Sequence, residues 1–271
     1  MSKGKREKWE ELLGFERIFQ PPLQEAIDGK DFGMRGRWAE EVFGNGNPVV
    51  LELGCGKGEY TVAQARKNPG VNFVGVDIKG HRFWRGARTA HDEHLPNVGF
   101  LRTRIEFLPR FFGPGEVSGI WLTFSDPQPK DEKGTRRITS AYFVERYRQF
   151  LQPGSPVHVK SDSPLLYERT LESWQEAGLP VHEHSADVYG ELVHRVEPEL
   201  RELLEVRTYY EQMWLAEGRK IHYLRTSVCW RGSRKRCGRW YGRCPWAGSR
   251  PTGRWRKRWV SAERRVGWGG P

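Results

Sequence analysis

The sequence predicts an α/β fold in which a mostly parallel sheet is covered by helices on both faces. Three observations lead there. Short apolar runs alternate with helical stretches, as βαβ units require. The runs end on Gly, Asp or Pro, which stop a strand. A glycine loop follows the first run and an acid closes the second, where open α/β sheets hold their ligands.

Up to about Gly46 the chain is polar and mixed, and Pro21, Pro22 and several glycines interrupt any long helical pattern, so residues 1–46 are expected to form an N-terminal arm. Val49-Val50-Leu51-Glu52-Leu53 then reads as a strand that breaks at Gly54, with helical character continuing through Lys67. A second strand over residues 73–76 ends on Asp77, and the helix expected over 82–93 is closed off by Pro96 and Asn97. Residues 98–101 and 119–124 read as the third and fourth strands, 140–150 as a helix, 157–160 as a fifth strand and 165–177 as another helix. One folded domain over 47–228 accommodates these elements.

The remainder, 229–271, is different in kind. Residues 231–271 hold five of the twelve tryptophans, 13 Lys and Arg, eight glycines and no Leu, Ile, Met or Phe, so this basic tail cannot build a packed core and is expected to be disordered. It also dominates the charge. Of 45 basic residues 13 lie here, leaving 32 for residues 1–230 against 33 of the 34 acids, so the net +11 says little about the body. The four cysteines, Cys55, Cys229, Cys237 and Cys244, form no close CxxC pair, and no metal site is expected. A charged start without an apolar signal segment, and no run near the ~18 apolar residues of a membrane span, predict a cytoplasmic protein with no membrane partner.

The first loop reads Glu52-Leu53-Gly54-Cys55-Gly56-Lys57-Gly58-Glu59. Glycines at Gly54, Gly56 and Gly58 allow a tight turn and close approach of a ligand. Asp77 stands nineteen residues beyond Gly58, placed to accept hydrogen bonds from both ribose hydroxyls of an adenosine. A dinucleotide loop would need glycine at position 59, and a pyrophosphate would meet the carboxylates of Glu52 and Glu59. S-adenosyl-L-methionine suits the pocket better, because its sulfonium and amino groups favour an acidic neighbour such as Glu52.

The fourth strand runs into Phe124-Ser125-Asp126-Pro127-Gln128-Pro129-Lys130, where two prolines stiffen the loop, and Lys130, Lys133, Arg136 and Arg137 form a basic cluster suited to phosphates. The plainer reading makes Asp126 a turn residue. With these motifs in order, the chain resembles the bacterial tRNA (guanine-N7-)-methyltransferases over about residues 35–225. Their loop is similar to Phe-Pro-Asp-Pro-Trp-Pro-Lys, so Ser125 and Gln128 depart from it while Asp126, Pro127, Pro129 and Lys130 match. Lys160-Ser161-Asp162 resembles the family's Thr-Asp at the end of strand five, and Thr208-Tyr209-Tyr210-Glu211 its Thr-x-x-Glu segment.

The resemblance implies the Rossmann-like fold of S-adenosylmethionine-dependent methyltransferases with a seven-stranded sheet. It also implies methyl transfer to N7 of a guanine in the variable loop of tRNA. Cofactor contacts would fall to Glu52, Gly54, Gly56, Gly58, Asp77, Arg104 and Asp126. Arg104 stands where the family carries an acid toward the adenine, and that contact would fall either to the Arg104 backbone or to Glu106 two residues on. Asp126 would be catalytic, and Lys130, Asp162, Thr208, Tyr209, Tyr210 and Glu211 would bind the tRNA. On the residues alone, Asp162 also reads as an N-cap and Glu211 as a solvated helix acid. The rival functions are a methyltransferase of the same fold for another RNA or a small molecule, and a catalytically silent RNA-binding protein.

Overall fold

The computed structural model describes residues 4–129 and 137–228. Lys130, Lys133 and Arg136 of the expected basic cluster and the whole tail from 229 lie outside the described residues. The five strands placed from the sequence are present, and the sheet has eight strands where the resemblance implied seven. They are β1 (Ile18–Phe19), β2 (Val49–Leu53), β3 (Asn72–Asp77), β4 (Val98–Arg102), β5 (Val117–Thr123), β6 (Pro156–Ser161), β7 (Val181–Ser185) and β8 (His222–Ser227). Their spatial order is β1-β4-β3-β2-β5-β6-β8-β7, parallel except where β8 runs antiparallel to both β6 and β7.

The helices are α1 (Lys5–Leu12), α2 (Leu23–Ile27), α3 (Glu59–Lys67), α4 (Gly80–Asp92), α5 (Leu108–Phe111), α6 (Ala141–Tyr147), α7 (Pro164–Glu176), α8 (Pro198–Leu204) and α9 (Tyr209–Ala216). β2 and β5 are buried along their whole length, which is why their sequences run apolar without alternation. One face of the sheet packs Phe111, Phe143 and Trp174 from α5, α6 and α7; the other packs Tyr60, Phe83 and Leu203 from α3, α4 and α8. α4 shows how the sequence achieves this, because Phe83, Gly86, Ala87 and Ala90 recur at helical spacing and are its buried stripe.

The stretch before Gly46, expected as an arm, is part of the body. β1 pairs in parallel with β4, and Trp38 is fully buried, stacked 4.7 Å from Phe112 and donating its Nε1–H to the Phe111 carbonyl at 2.8 Å. α1 lies on α4, where Glu11 accepts from Trp84 Nε1 at 2.8 Å and from Arg88 at 2.7 Å. The anchoring side chains are single aromatics spaced by breakers, which leave no periodic signal.

β2 adjoins β3 on one side and β5 on the other, so the chain reverses its direction of travel across the sheet there. That switch point opens a crevice beyond the carboxyl ends of the two strands, the default ligand position in such sheets.

Candidate active site

The ends of β2 and β3 bring two carboxylates to this crevice, and the loop that carries Asp126 leaves the end of β5 beside them. Glu52, next to last in β2, is buried and accepts hydrogen bonds from the Thr61 hydroxyl of α3 and, at 2.5 Å, from the Thr123 hydroxyl of β5. Burial pushes its carboxyl up to about 7, against the pull of the two threonine hydrogen bonds and with a small further rise from Asp77. A carboxyl so placed is poised to ionise when a cation arrives.

Between β2 and α3 the backbone turns at Gly54 (φ 78°) and Gly56 (φ 54°). A Cβ on either would meet nothing within 4 Å, so the left-handed backbone requires glycine there and the loop borders open space. Gly58 differs. A Cβ there would stand 2.6 Å from the Phe100 ring and 3.2 Å from the Gly86 Cα, so its smallness lets α3 start against α4 and β4.

Asp77, the last residue of β3, is buried and holds the loop, accepting from Gly56 N–H at 3.1 Å and from Lys79 N–H at 2.9 Å. Each carboxylate oxygen can accept a second bond, so Asp77 can fix the loop and still receive two hydroxyls. These features fit an adenosine bearing a cationic amino-acid end: a carboxylate for a ribose, an uncrowded glycine turn, and a buried acid beyond it. Beside β3, Thr103 N–H reaches the Asp77 carbonyl at 3.2 Å, so the backbone before Arg104 borders the same crevice. The Arg104 side chain is turned aside to Glu106, 3.2 Å away.

The Asp126 loop is bracketed by Phe124 (φ 51°) and Gln128 (φ 45°), two non-glycine residues in the left-handed region. Such strain persists only where surroundings impose it. Here Phe124 N–H donates to the Lys160 carbonyl at 2.8 Å, and the Arg137 guanidinium donates to the Pro127 and Gln128 carbonyls, both at 2.9 Å. Asp126 is exposed, and its Oδ1 accepts from Gln128 N–H at 2.9 Å, which is the turn role foreseen on the residues alone. One oxygen suffices for that turn.

α9 supplies the opposite wall. Thr208 caps it, with its hydroxyl and Glu211 forming a capping box. Glu211 is neither solvated nor exposed to a ligand as placed. It is fully buried, 2.7 Å from the Lys160 ammonium and 2.7 Å from the donating Tyr189 hydroxyl. Lys160 also donates to the Leu204 and Val206 carbonyls at 2.7 and 2.9 Å, and burial pushes its pKa down to about 8 while Glu211 holds it up. Tyr209 and Tyr210 are exposed, and the Lys57 ammonium of the glycine loop lies 4.8 and 4.6 Å from their ring centres. Tyr209 N–H donates to Glu59 at 2.8 Å. Trp214 completes an aromatic surface, 5.1 Å from Phe124 and 6.1 Å from Tyr210.

Asp162 sits near Arg219 at 3.6 Å, and the N-cap of α7 is Ser163, whose hydroxyl accepts from Leu166 N–H at 3.2 Å. The N-cap reading of Asp162 is therefore replaced: the chain turns into α7 one residue later, with Pro164 as its first helical residue. Sequence reasoning gave no role to Lys57 or Lys160, though both stand in its motifs, and passed over Thr61, Thr123 and Trp214. Only the four-residue spacing of Tyr210 and Trp214 marked a shared helix face.

Comparison with known proteins shows the family. A sequence profile for the family described as "Putative methyltransferase" matches residues 46–224. The tRNA (guanine-N(7)-)-methyltransferase of Bacteroides thetaiotaomicron is 46% identical over 226 residues, 83% of this chain and 86% of that protein. The Porphyromonas gingivalis protein of the same name is 48% identical over 213 residues, 78% and 84% of the two chains. The one from Bacillus subtilis is 32% identical over 197 residues, 73% and 87%. Among solved structures, a variant of the 16S rRNA (adenine(1408)-N(1))-methyltransferase from Catenulisporales acidiphilia, determined with cosubstrate SAM, aligns with a TM-score of 0.50. It covers 79% of this chain and 94% of its own at 13% identity, a likeness of fold.

Proposed function

The chain belongs to the tRNA (guanine-N(7)-)-methyltransferase family, and on that footing we propose how its residues divide the work of moving a methyl group from S-adenosyl-L-methionine to N7 of a guanine in tRNA. What supports the reading is that Glu52 and Asp77 lie at the carboxyl ends of β2 and β3 beside the switch point of the sheet, with Asp126 in the loop that leaves β5. When bound, the cofactor supplies a methyl group on a positively charged sulfur. Asp77 receives the ribose hydroxyls, Gly54 and Gly56 let the backbone approach, and Glu52 offsets positive charge at the amino-acid end.

N7 of neutral guanine carries a lone pair and no proton, so attack needs no base to deprotonate the nucleophile. The protein's task is alignment and charge. Asp126 accepts from N1–H or N2–H of the guanine, which orients the ring, and its negative charge stabilises the positive charge that develops on the purine. The Phe124, Tyr210 and Trp214 rings offer a surface on which a base can stack, and a purine becoming cationic gains further from an aromatic face. Thr208, Tyr209 and Glu211 shape that wall, Glu211 from inside through Lys160. Lys130 and Asp162 contact the nucleoside or its RNA neighbourhood. The target guanine is one exposed in the variable loop, and the enzyme works in the cytoplasm where tRNA matures.

Incubation of the purified protein with unmodified tRNA and methyl-labelled cofactor tests the reading. After digestion to nucleosides the label is expected in N7-methylguanosine. Label in another nucleoside would move the reaction to a different atom, and none at all would contradict the enzyme reading.

A further inference from the structure

On the flank reached from β4, a pocket of about 420 Å³ is lined by Gly29, Arg35, Glu106, Arg110, Arg146 and Gln149 among others. Its wall is the short turn Ile105–Phe107 and the α5 helix that follow the carboxyl end of β4. Glu106 is four residues past Arg102, the partner of Asp77 across the sheet, so the pocket lies within roughly 15 Å of chain reach from the crevice edge.

Its charge is not balanced. Arg110 is 3.2 Å and Arg35 3.7 Å from the same carboxylate, that of Asp31, which is itself half exposed. The Glu106 carboxylate faces Arg104, and only its backbone carbonyl accepts from Arg146, at 3.0 Å. The buried Arg146 Nε–H has no hydrogen-bond partner among the described residues. Arg35 and Arg110 thus share one carboxylate, while Arg146 donates to the Tyr142 hydroxyl and the Glu106 carbonyl and pairs with no carboxylate among the described residues, so three guanidinium groups border the recess with N–H donors to spare. Guanidinium forks match phosphate oxygens in shape and charge, and positive charge held by packing costs little to reuse.

We propose that Arg35, Arg110 and Arg146 form a subsite for a backbone phosphate of the RNA substrate, with Asp31 holding Arg35 and Arg110 in place until the phosphate arrives. The site rests on the tRNA-methylating reading of the crevice and adds a second anchoring point beside it. It is a positioning site. It touches neither the cofactor nor N7, so its loss should weaken RNA binding without altering the chemical step.

Two kinds of variant test it in the full chain. Arg110→Gln and Arg146→Gln should each raise the tRNA dissociation constant several-fold at ~0.15 M salt and reduce the slope of log affinity against log salt by about one. Cofactor affinity and the rate at saturating tRNA should stay at wild-type values. Asp31→Asn should do the opposite, tightening tRNA binding and steepening the slope, because it removes the competing carboxylate. A merely structural role for the cluster predicts the reverse for Asp31→Asn, since it would lose two ion pairs and gain nothing.

Unchanged slopes in both arginine variants, or weaker tRNA binding by Asp31→Asn, would overturn the subsite even if the wild type methylates guanine N7 normally. A wild type that transfers no methyl group to tRNA would instead defeat the underlying reading, and the subsite with it. Saturable binding of inorganic phosphate that depends on Arg110, with tRNA slopes unaltered, would make this a small-anion site and also overturn the RNA assignment.

Discussion

Glu52 is a carboxyl placed where ionisation is costly until a cation is present. Its pKa of about 7 comes first from burial, so near neutral pH the unliganded protein holds it partly protonated. Binding a cationic cofactor favours the carboxylate, hence below pH 7 binding must release a proton and affinity should fall by up to about tenfold per pH unit. Calorimetry in two buffers of different ionisation enthalpy would detect that proton, and Glu52→Gln should abolish both effects. The stability of the unliganded protein carries the complementary sign. The folded-state pKa is above the unfolded one, so Glu52 contributes stability below about pH 4.5 that is lost as pH rises through 7. A pH dependence of cofactor affinity that survives in Glu52→Gln would place the cation elsewhere. Asp126 makes a different prediction. Asp126→Asn preserves the acceptor toward Gln128 N–H while removing the charge, so turnover should fall by about a hundredfold or more with tRNA affinity changed far less. If Asp126 were only a turn residue, the ordering would invert, with KM rising and turnover near normal.

At the scale of elements, the Lys160–Glu211 pair ties β6 to the start of α9, while the Lys160 backbone carbonyl holds the Phe124 end of the Asp126 loop. One residue thereby fixes both walls of the acceptor site. Removing a single partner leaves a buried charge uncompensated, so Lys160→Met should lower unfolding free energy by about 3 to 5 kcal/mol. The double variant Lys160→Met with Glu211→Leu should recover most of it, as chemical denaturation would read out; no recovery would mean the hydrogen bonds, not the charges, dominate. This pair also marks the boundary of what the sequence discloses. The five parallel strands from β2 to β6 were legible because burial on both faces writes apolar runs such as Val49–Leu53, and the acids Glu52 and Asp77 were legible as strand-end residues because topology places ligands there. Lys160 was not, because a lysine at a strand end reads as solvated and nothing local reveals an acid fifty-one residues on. The antiparallel pair β7–β8 was hidden for a related reason. Val181–Ser185 carries two histidines and a glutamate on a half-exposed edge, so its apolar pattern is faint.

Across the whole molecule, the last strand in the chain, β8, lies between β6 and β7, its Ser227 paired with Pro156 of β6, and Val228 just after it is buried. All the residues assigned to cofactor and guanine lie before that point. The basic tail beyond it adds 13 positively charged residues but no Leu, Ile, Met or Phe. Truncation after Val228 should therefore leave folding, cofactor affinity and tRNA methylation near wild-type levels, with the same salt dependence of tRNA binding. A flatter salt slope or a large loss of activity would make the tail an RNA-binding arm. The N-terminal stretch predicts the contrary behaviour. Deleting residues 1–46 would remove β1 and the buried Trp38, exposing the α5 face of the core, and should abolish cooperative folding.

The central claim is that this crevice delivers a methyl group to N7 of a guanine in folded tRNA. Borohydride reduction followed by aniline cleaves RNA selectively at N7-methylguanosine, so the product can be located on the tRNA sequence. With unmodified tRNA and cofactor, the wild type should yield one cleavage, at a variable-loop guanine, and Asp126→Asn should lose it while still binding tRNA. Labelled methyl incorporation into tRNA with no such cleavage would contradict the account, whatever the fate of the Asp126 variant.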